Sequence, residues 1–237
     1  MRIVLRTRYA GPRGTAGPGS PMDLPDDEAK ALIDGGYAVP VELRGMEDGL
    51  LHASGEVVLV DALPEGARTI REATLRRGLY DNGGLYGSGH LFHGPEFQAL
   101  EGVDGNDEDL VAARAKCAPA PSAWMKHPMR NRWLADPLAL DSSFQLLILW
   151  SFGKYGMGSL PTLLGRYRQF RTHFPKDGVR VVAQVREHTK RRAVSDIEWL
   201  DPATGALIAR LDRYEATLAP TLAEAFRKNT LGAPARG

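Results

Sequence analysis

The sequence predicts an α+β domain in which one antiparallel sheet curls round a single buried helix, preceded by a small strand–helix–strand module. Three observations carry this. Within Leu140-Asp-Ser-Ser-Phe-Gln-Leu-Leu-Ile-Leu-Trp150, the run from Leu146 is apolar on every side, as a helix inside a fold requires. Two alternating stretches precede that run and several follow it, each with the period of a half-buried strand. Asp201-Pro-Ala-Thr-Gly205 is a strong hairpin signal between the last two stretches. A strand pair, one helix and a strand meander together supply what a curved sheet needs to cover a helix.

Residues 1–43 read as the separate βαβ-like module. Arg2 to Tyr9 alternates, with Ile3 and Leu5 on one face, and reads as a strand. Gly11 to Gly19 is a loop rich in turn formers. Pro25 to Asp34 is a short helix: proline and acids open it and Gly35-Gly36 ends it. Tyr37 to Glu42 closes the module as a strand.

Residues 44–89 read as a linker and the remnant of another fold. Gly45 to Gly49 is the linker, Glu56 to Val60 a strand, Ala67 to Gly78 a charged surface helix and Asn82 to Gly89 a flexible link.

Residues 90–231 form the main domain, and 232–237 a tail. Phe97 to Val103 and Asp109 to Ala118 are strands joined by a turn at Asp104 to Glu108. The helix runs from about Leu138 to Tyr155. Tyr167 to Phe174, Val179 to Glu187, Ala193 to Leu200 and Ala206 to Ala216 are strands, and Thr221 to Asn229 is a last short helix.

Composition narrows the function classes. The 237 residues are 43% hydrophobic and 25% charged, ordinary for a globular protein with room for one large or two small domains. A formal net charge of +1 gives no reason to expect nucleic acid or a membrane surface as partner. There is no run of 18 apolar residues, and the opening Met1-Arg-Ile-Val-Leu is too short for a signal peptide, so a cytoplasmic location is expected. The single cysteine, Cys117, forms no internal disulfide, and its alternation with Ala113 and Ala115 suits a packed strand residue better than a nucleophile. No cluster of histidine, cysteine and acids has metal-ligand spacing, so no metal is expected. The glycines from Gly83 to Gly89 have no feeding strand or following helix to make a phosphate loop.

The chemistry-bearing residues sit at the head of the apolar helix. Asp141 and Gln145 are four residues apart and share a helix face. A carboxyl buried beside an amide can serve as a general acid. The simpler reading is that Asp141 caps the helix, with Ser142 and Ser143 in its first turn. Two basic clusters follow, Arg166 to Arg180 and Lys190-Arg-Arg192; each reads as a solvated surface or as a dock for an acidic protein.

Leu91-Phe-His-Gly-Pro-Glu-Phe-Gln98, then Asp136-Pro-Leu-Ala-Leu-Asp141, Gln145 and Gly158-Ser-Leu-Pro161 occur in the order found in one family. This order resembles the second half of the dehydratase domain of polyketide synthases and polyunsaturated fatty acid synthases, over roughly Gly55 to Leu231. That family places two hot-dog folds side by side. The second carries Gly-Pro-x-Phe, here Gly94-Pro95-Glu96-Phe97, and Asp-x-x-x-Gln, here Asp141 to Gln145. Of its Leu-Pro-Phe-x-Trp motif only Leu160-Pro161 remains, and His93 and Leu91 stand where tyrosines often precede Gly-Pro.

The resemblance implies a hot-dog fold and a 3-hydroxyacyl-thioester dehydratase, a carbon–oxygen lyase. It implies Asp141 as the acid that protonates the departing hydroxyl and Gln145 as its orienter. His93, Gly94, Pro95, Phe97, Leu160 and Pro161 would line the substrate. It implies no cofactor beyond the phosphopantetheine of an acyl carrier protein, the expected partner.

The family's catalytic histidine lies in a His-x-x-x-Gly-x-x-x-x-Pro motif on the first hot-dog, and this sequence contains no such motif. Ala53 to Pro64 looks like the last strand of that first fold, so an incomplete enzyme is expected, to be completed by a histidine-bearing half or by a homodimer. A non-catalytic carrier-binding or assembly module is the alternative. Residues 1–43 resemble small leader domains of phage proteins, which leaves a phage structural protein as a third reading.

Overall fold

The computed structural model describes residues 2–4, 9–11, 14–16, 21–23, 38–58, 62–71 and 84–227. The chain divides into two compact units, Met1–Leu63 and Pro64–Gly237.

The described residues of the first unit include three antiparallel strand pairs. β1 (Arg2–Val4) pairs with β4 (Pro21–Asp23), β2 (Tyr9–Gly11) with β3 (Gly14–Ala16), and β5 (Ala38–Arg44) with β6 (Leu51–Val58). Gly11 thus lies opposite Gly14 in a strand pair within the stretch expected as a loop, whose residues 12–13 and 17–19 lie outside the described residues. The helix expected over Pro25 to Asp34 lies outside the described residues. Gly45 to Gly49 is the turn of the β5–β6 hairpin and not a linker. Gly45 N donates to Leu50 O at 2.9 Å, and Gly49 takes a φ of 66°, a conformation glycine adopts freely. β6 therefore begins at Leu51, ahead of the strand expected at Glu56.

The second unit is a hot-dog. Its sheet holds β7 (Leu100–Asn106), β8 (Leu110–Ala115), β9 (Gly158–Gln169), β10 (Val179–His188), β11 (Arg192–Leu200) and β12 (Leu207–Ala219). The order across the sheet is β7-β8-β10-β11-β12-β9, antiparallel throughout. Among the described residues three helices accompany it: α1 (Pro121–Trp124), the central α2 (Pro137–Tyr155) and α3 (Pro220–Arg227).

Leu146 to Trp150 are all buried and share one core cluster with Val181, Ala183, Ile197, Trp199 and Leu211 of the sheet. A helix apolar on every side can be accommodated only by being covered on every side. Its buried hydroxyls are satisfied locally: Ser142 Oγ donates to Ala139 O, Ser143 Oγ to Leu140 O and Ser151 Oγ to Ile148 O. The Trp199 indole N–H donates to Ala139 O at 2.7 Å, tying β11 to the first turn of α2.

The ends of α2 settle one reading. Asp136 is the N-cap; its carboxylate accepts from Ala139 N at 2.8 Å and from Ala118 N at 2.9 Å. Pro137 opens the first turn, and Gly156, with φ 66°, closes the helix in the left-handed conformation. Asp141 therefore does not cap the helix. It stands beyond the first turn, facing the loop that precedes β7.

Three strand or helix expectations shift for identifiable reasons. Pro95–Phe97 forms a 3-10 turn, so β7 starts at Leu100 and not at Phe97. β9 runs from Gly158, where the sequence reads as a strand only from Tyr167; it is an edge strand with mostly exposed positions and contains Pro161, which an edge tolerates. Arg68 to Arg71 has no helix, because the Thr69 and Ile70 N–H groups both donate to Glu198 Oε1. The remainder of that expected helix, residues 72–78, lies outside the described residues. β12 carries a bulge at Arg213, whose φ is 58° and whose N–H donates to Asp196 Oδ1 at 3.0 Å; the register with β11 slips there between Ser195 and Ile197.

On the other face of the sheet lies the segment of residues 68–70, well ahead of β7 in the chain. Ile70 packs with Leu110, Ala112, Val182, Leu200 and Leu207. Glu198 is fully buried beneath it, accepting from Arg68 Nε, Thr69 N, Thr69 Oγ1 and Ile70 N. Glu198→Ala strands these donors and is expected to cost about 3 kcal/mol in urea unfolding. Hydrogen exchange should accelerate at Thr69 and Ile70 before it does on β11.

Candidate active site

The site is assembled from the second turn of α2 and the loop between Leu85 and Leu100. Gln145 is completely buried, so each side of its amide needs a partner. Its Nε2 donates to Asp141 Oδ2 at 2.7 Å and to Phe97 O at 2.7 Å. Its Oε1 accepts from the Tyr86 hydroxyl at 2.6 Å, and that hydroxyl in turn accepts from Leu100 N at 2.7 Å. Burial pushes the Tyr86 hydroxyl up to about 12, so it stays a neutral donor. The amide thus holds Asp141, the Gly-Pro turn and the start of β7 in one frame.

Asp141 keeps 25% of its side chain exposed, while the His93 ring beside it keeps 9%. His93 Nε2 lies 3.5 Å from Asp141 Oδ2. The ring stacks on Phe92 at 4.4 Å, and Phe92 packs on Phe226 of α3 at 4.4 Å. His93 Nδ1 is buried with no hydrogen-bond partner among the described residues. Burial lowers the imidazole below its ordinary value and the Asp141 charge opposes this, with burial the larger effect. His93 thus packs on Phe92 and also faces the Asp141 carboxylate.

The other expected site residues divide. Gly94 and Pro95 shape the 3-10 turn that presents the Phe97 carbonyl to Gln145. The Phe97 ring is 42% exposed and stacks on Trp124 at 5.3 Å; Trp124 in turn meets Trp133 at 6.0 Å. Leu160 and Pro161 lie on β9, opposite Thr217 and Ala216, and take no part in the hydrogen bonds around Gln145. Tyr86 is the partner of Gln145 that sequence reasoning misses. Its one signal is a lone tyrosine in a glycine-rich stretch.

Other features fall outside the site. His90 stacks on Phe152 at 4.2 Å. A cavity of about 400 Å³ is lined by Arg171, His173, Phe174, Asp201, Thr204 and Ile208, and by none of Asp141, Gln145 or His93. No group of three or more metal-ligating side chains gathers among the described residues. No described helix is long and apolar enough to cross a membrane. In the basic clusters, Arg168 pairs with Asp212, Arg180 with Asp104 and Arg192 with Glu187 and Glu215.

Two outcomes are expected here. Tyr86→Phe leaves Gln145 Oε1 and Leu100 N without their partner, and should lower unfolding stability by about 1–3 kcal/mol. The Cys117 thiol is pushed up to about 12, first by burial and then by the Asp136 charge. It should therefore resist iodoacetamide at pH 8 in the folded protein and react once urea unfolds the chain.

Comparison with known proteins places this geometry in a family. The model of the polyketide synthase dehydratase N-terminal domain matches residues 60–225. No match was found among curated proteins. Among solved structures, the CurJ dehydratase (an inactive mutant in complex with a small compound) is 18% identical with a TM-score of 0.55, covering 79% of this chain and 64% of that one. A trans-AT polyketide synthase dehydratase domain from Brevibacillus brevis is 16% identical with a TM-score of 0.55, covering 92% and 75%. The dehydratase domain of PpsC from Mycobacterium tuberculosis, in complex with C12:1-CoA, is 18% identical with a TM-score of 0.54, covering 92% and 74%. This chain thus spans about two thirds to three quarters of the dehydratases it resembles. With a family match over most of its length and a hot-dog sheet round α2, the chain belongs to the polyketide synthase dehydratase family.

Proposed function

We propose that this chain is a dehydratase-like domain of polyketide or fatty acid synthesis, acting on 3-hydroxyacyl thioesters carried on the phosphopantetheine of an acyl carrier protein. The observation that carries the reading is the Asp141 carboxyl, held from behind by a buried amide and open in front. Gln145 donates to Oδ2, so a proton on the carboxyl belongs on Oδ1, which accepts none of the described hydrogen bonds. That is the arrangement of a general acid directed at a leaving hydroxyl.

In this reading the Asp141 carboxyl gives its proton to the 3-hydroxyl. The C3–O bond breaks and water departs. A base takes the proton from C2, and the electron pair released there forms the C2=C3 bond of the enoyl thioester. The exposed Phe97 ring beside Trp124 offers an apolar ledge for the acyl chain next to the carboxyl. The sequence lacks the family's histidine motif, so the base must come from elsewhere: another chain, or another histidine of this one.

The test is conversion of a series of 3-hydroxyacyl-pantetheines to their enoyl thioesters, followed by absorbance and mass. The full chain should catalyse it, and Asp141→Asn should lower the rate about 10²–10⁴-fold. Absence of both turnover and acyl-pantetheine binding would overturn the reading in favour of a non-catalytic assembly role.

A further inference from the structure

We propose that His93 is the base of this site, so that a single hot-dog carries both halves of the acid–base pair on its own chain. The inference rests on the dehydratase reading above and goes beyond it by assigning the missing partner. Four observations on the molecule converge. His93 Nε2 is 3.5 Å from the Asp141 carboxyl, so both groups face one point. The ring is fixed by its stack on Phe92, which is itself packed against Phe226. Its side chain is nine-tenths buried, yet Nδ1 has no partner among the described residues, so no structural hydrogen bond accounts for a polar ring here. The histidine occupies the position just before Gly94-Pro95, and the 3-10 turn that follows is pinned to Gln145 through the Phe97 carbonyl. One amide therefore sets the acid directly and the base through four residues of chain.

The spacing suits the reaction. The atoms to be handled, the C2 proton and the C3 oxygen, sit on neighbouring carbons, so the base and the acid must converge to within a few ångströms. Burial favours the neutral imidazole that proton abstraction requires. His93 takes the C2 proton and becomes imidazolium; Asp141 gives its proton to the hydroxyl and becomes carboxylate. The electron pair from C2–H makes the double bond, the C3–O pair leaves with the water, and the net product is one enoyl thioester and one water. The imidazolium and carboxylate then face each other, and passage of the proton from His93 to Asp141 restores both to their starting state. No co-reactant is needed.

The experiment uses the full chain and 3-hydroxyacyl-pantetheines. His93→Gln and His93→Ala should each lower turnover about 10²–10⁴-fold. Added imidazole should restore turnover to His93→Ala. Pyrrole has the same shape and no basic nitrogen, and should not restore it. Rescue by pyrrole as good as by imidazole would reduce His93 to a packing role and overturn the assignment. Turnover that Asp141→Asn abolishes and His93→Gln leaves intact would overturn it too, while the dehydratase reading stands and the base lies on another chain or on another histidine of this one. No turnover by the unaltered chain, with acyl-pantetheine still bound, would overturn the assignment of His93 and leave the dehydratase reading standing; loss of binding as well would overturn both.

Discussion

A buried primary amide has two N–H donors and a carbonyl acceptor, and none can go unpaired without cost. Gln145 meets this demand by drawing three pieces of chain together: the preceding turn of its own helix at Asp141, the Gly-Pro turn at Phe97, and the Tyr86 hydroxyl. Tyr86 passes the connection on to the first residue of β7. The loop between the glycine-rich stretch and the sheet thereby acquires a defined course over the end of α2, and His93 is delivered to Asp141 as part of it. Replacing the amide would disturb the carboxyl, the turn and the strand entrance together.

How much of this was legible depends on the range of the interactions. The helix could be read because a run apolar on all sides has few alternatives, and the Asp141–Gln145 pair because i,i+4 spacing is a local rule. Val181, Ala183 and Val185 announced β10 by alternation, and Asp201 to Gly205 announced the turn before β12. β9 was read late because an exposed edge strand containing proline shows no period. Residues 67–71 of the expected helix were misread because their backbone donors answer to a carboxylate about 130 residues away, which no local pattern records. His93 and Tyr86 share that limitation. Each is an isolated residue in a loop whose partner lies on α2.

The two faces of the sheet solve opposite problems. Against α2 the contact is mainly apolar, with side-chain hydrogen bonds from the Trp199 indole to Ala139 O, between Tyr155 and His188, and between Ser151 and Ser159. On the other face an acid, Glu198, is fully buried and needs a separate segment to bring it donors. The first face gives the helix a fixed seat; the second holds residues 68–70 in place without a regular element. Together they leave the middle of β10 and β11 covered on both sides. That explains why burial there runs almost without interruption and why these strands look more like fully enclosed ones than like a two-faced sheet.

The bulge at Arg213 changes which side chains of β12 look inward. Between the slip after Leu207 and this bulge, Ala209 and Leu211 belong to the core, with Ile208 at the slip; after the bulge, the even-numbered Tyr214, Ala216 and Leu218 do. One added residue shifts the phase of the strand by half a period. Because of that shift, Tyr214 reaches the ring of Phe144, stacking at 5.1 Å beside the residue that holds the site together. A strand with unbroken alternation would have presented Arg213 and Glu215 to the helix instead. The extra residue therefore works as a phase corrector, letting a charged outer edge and an apolar wall next to Gln145 be written on the same strand.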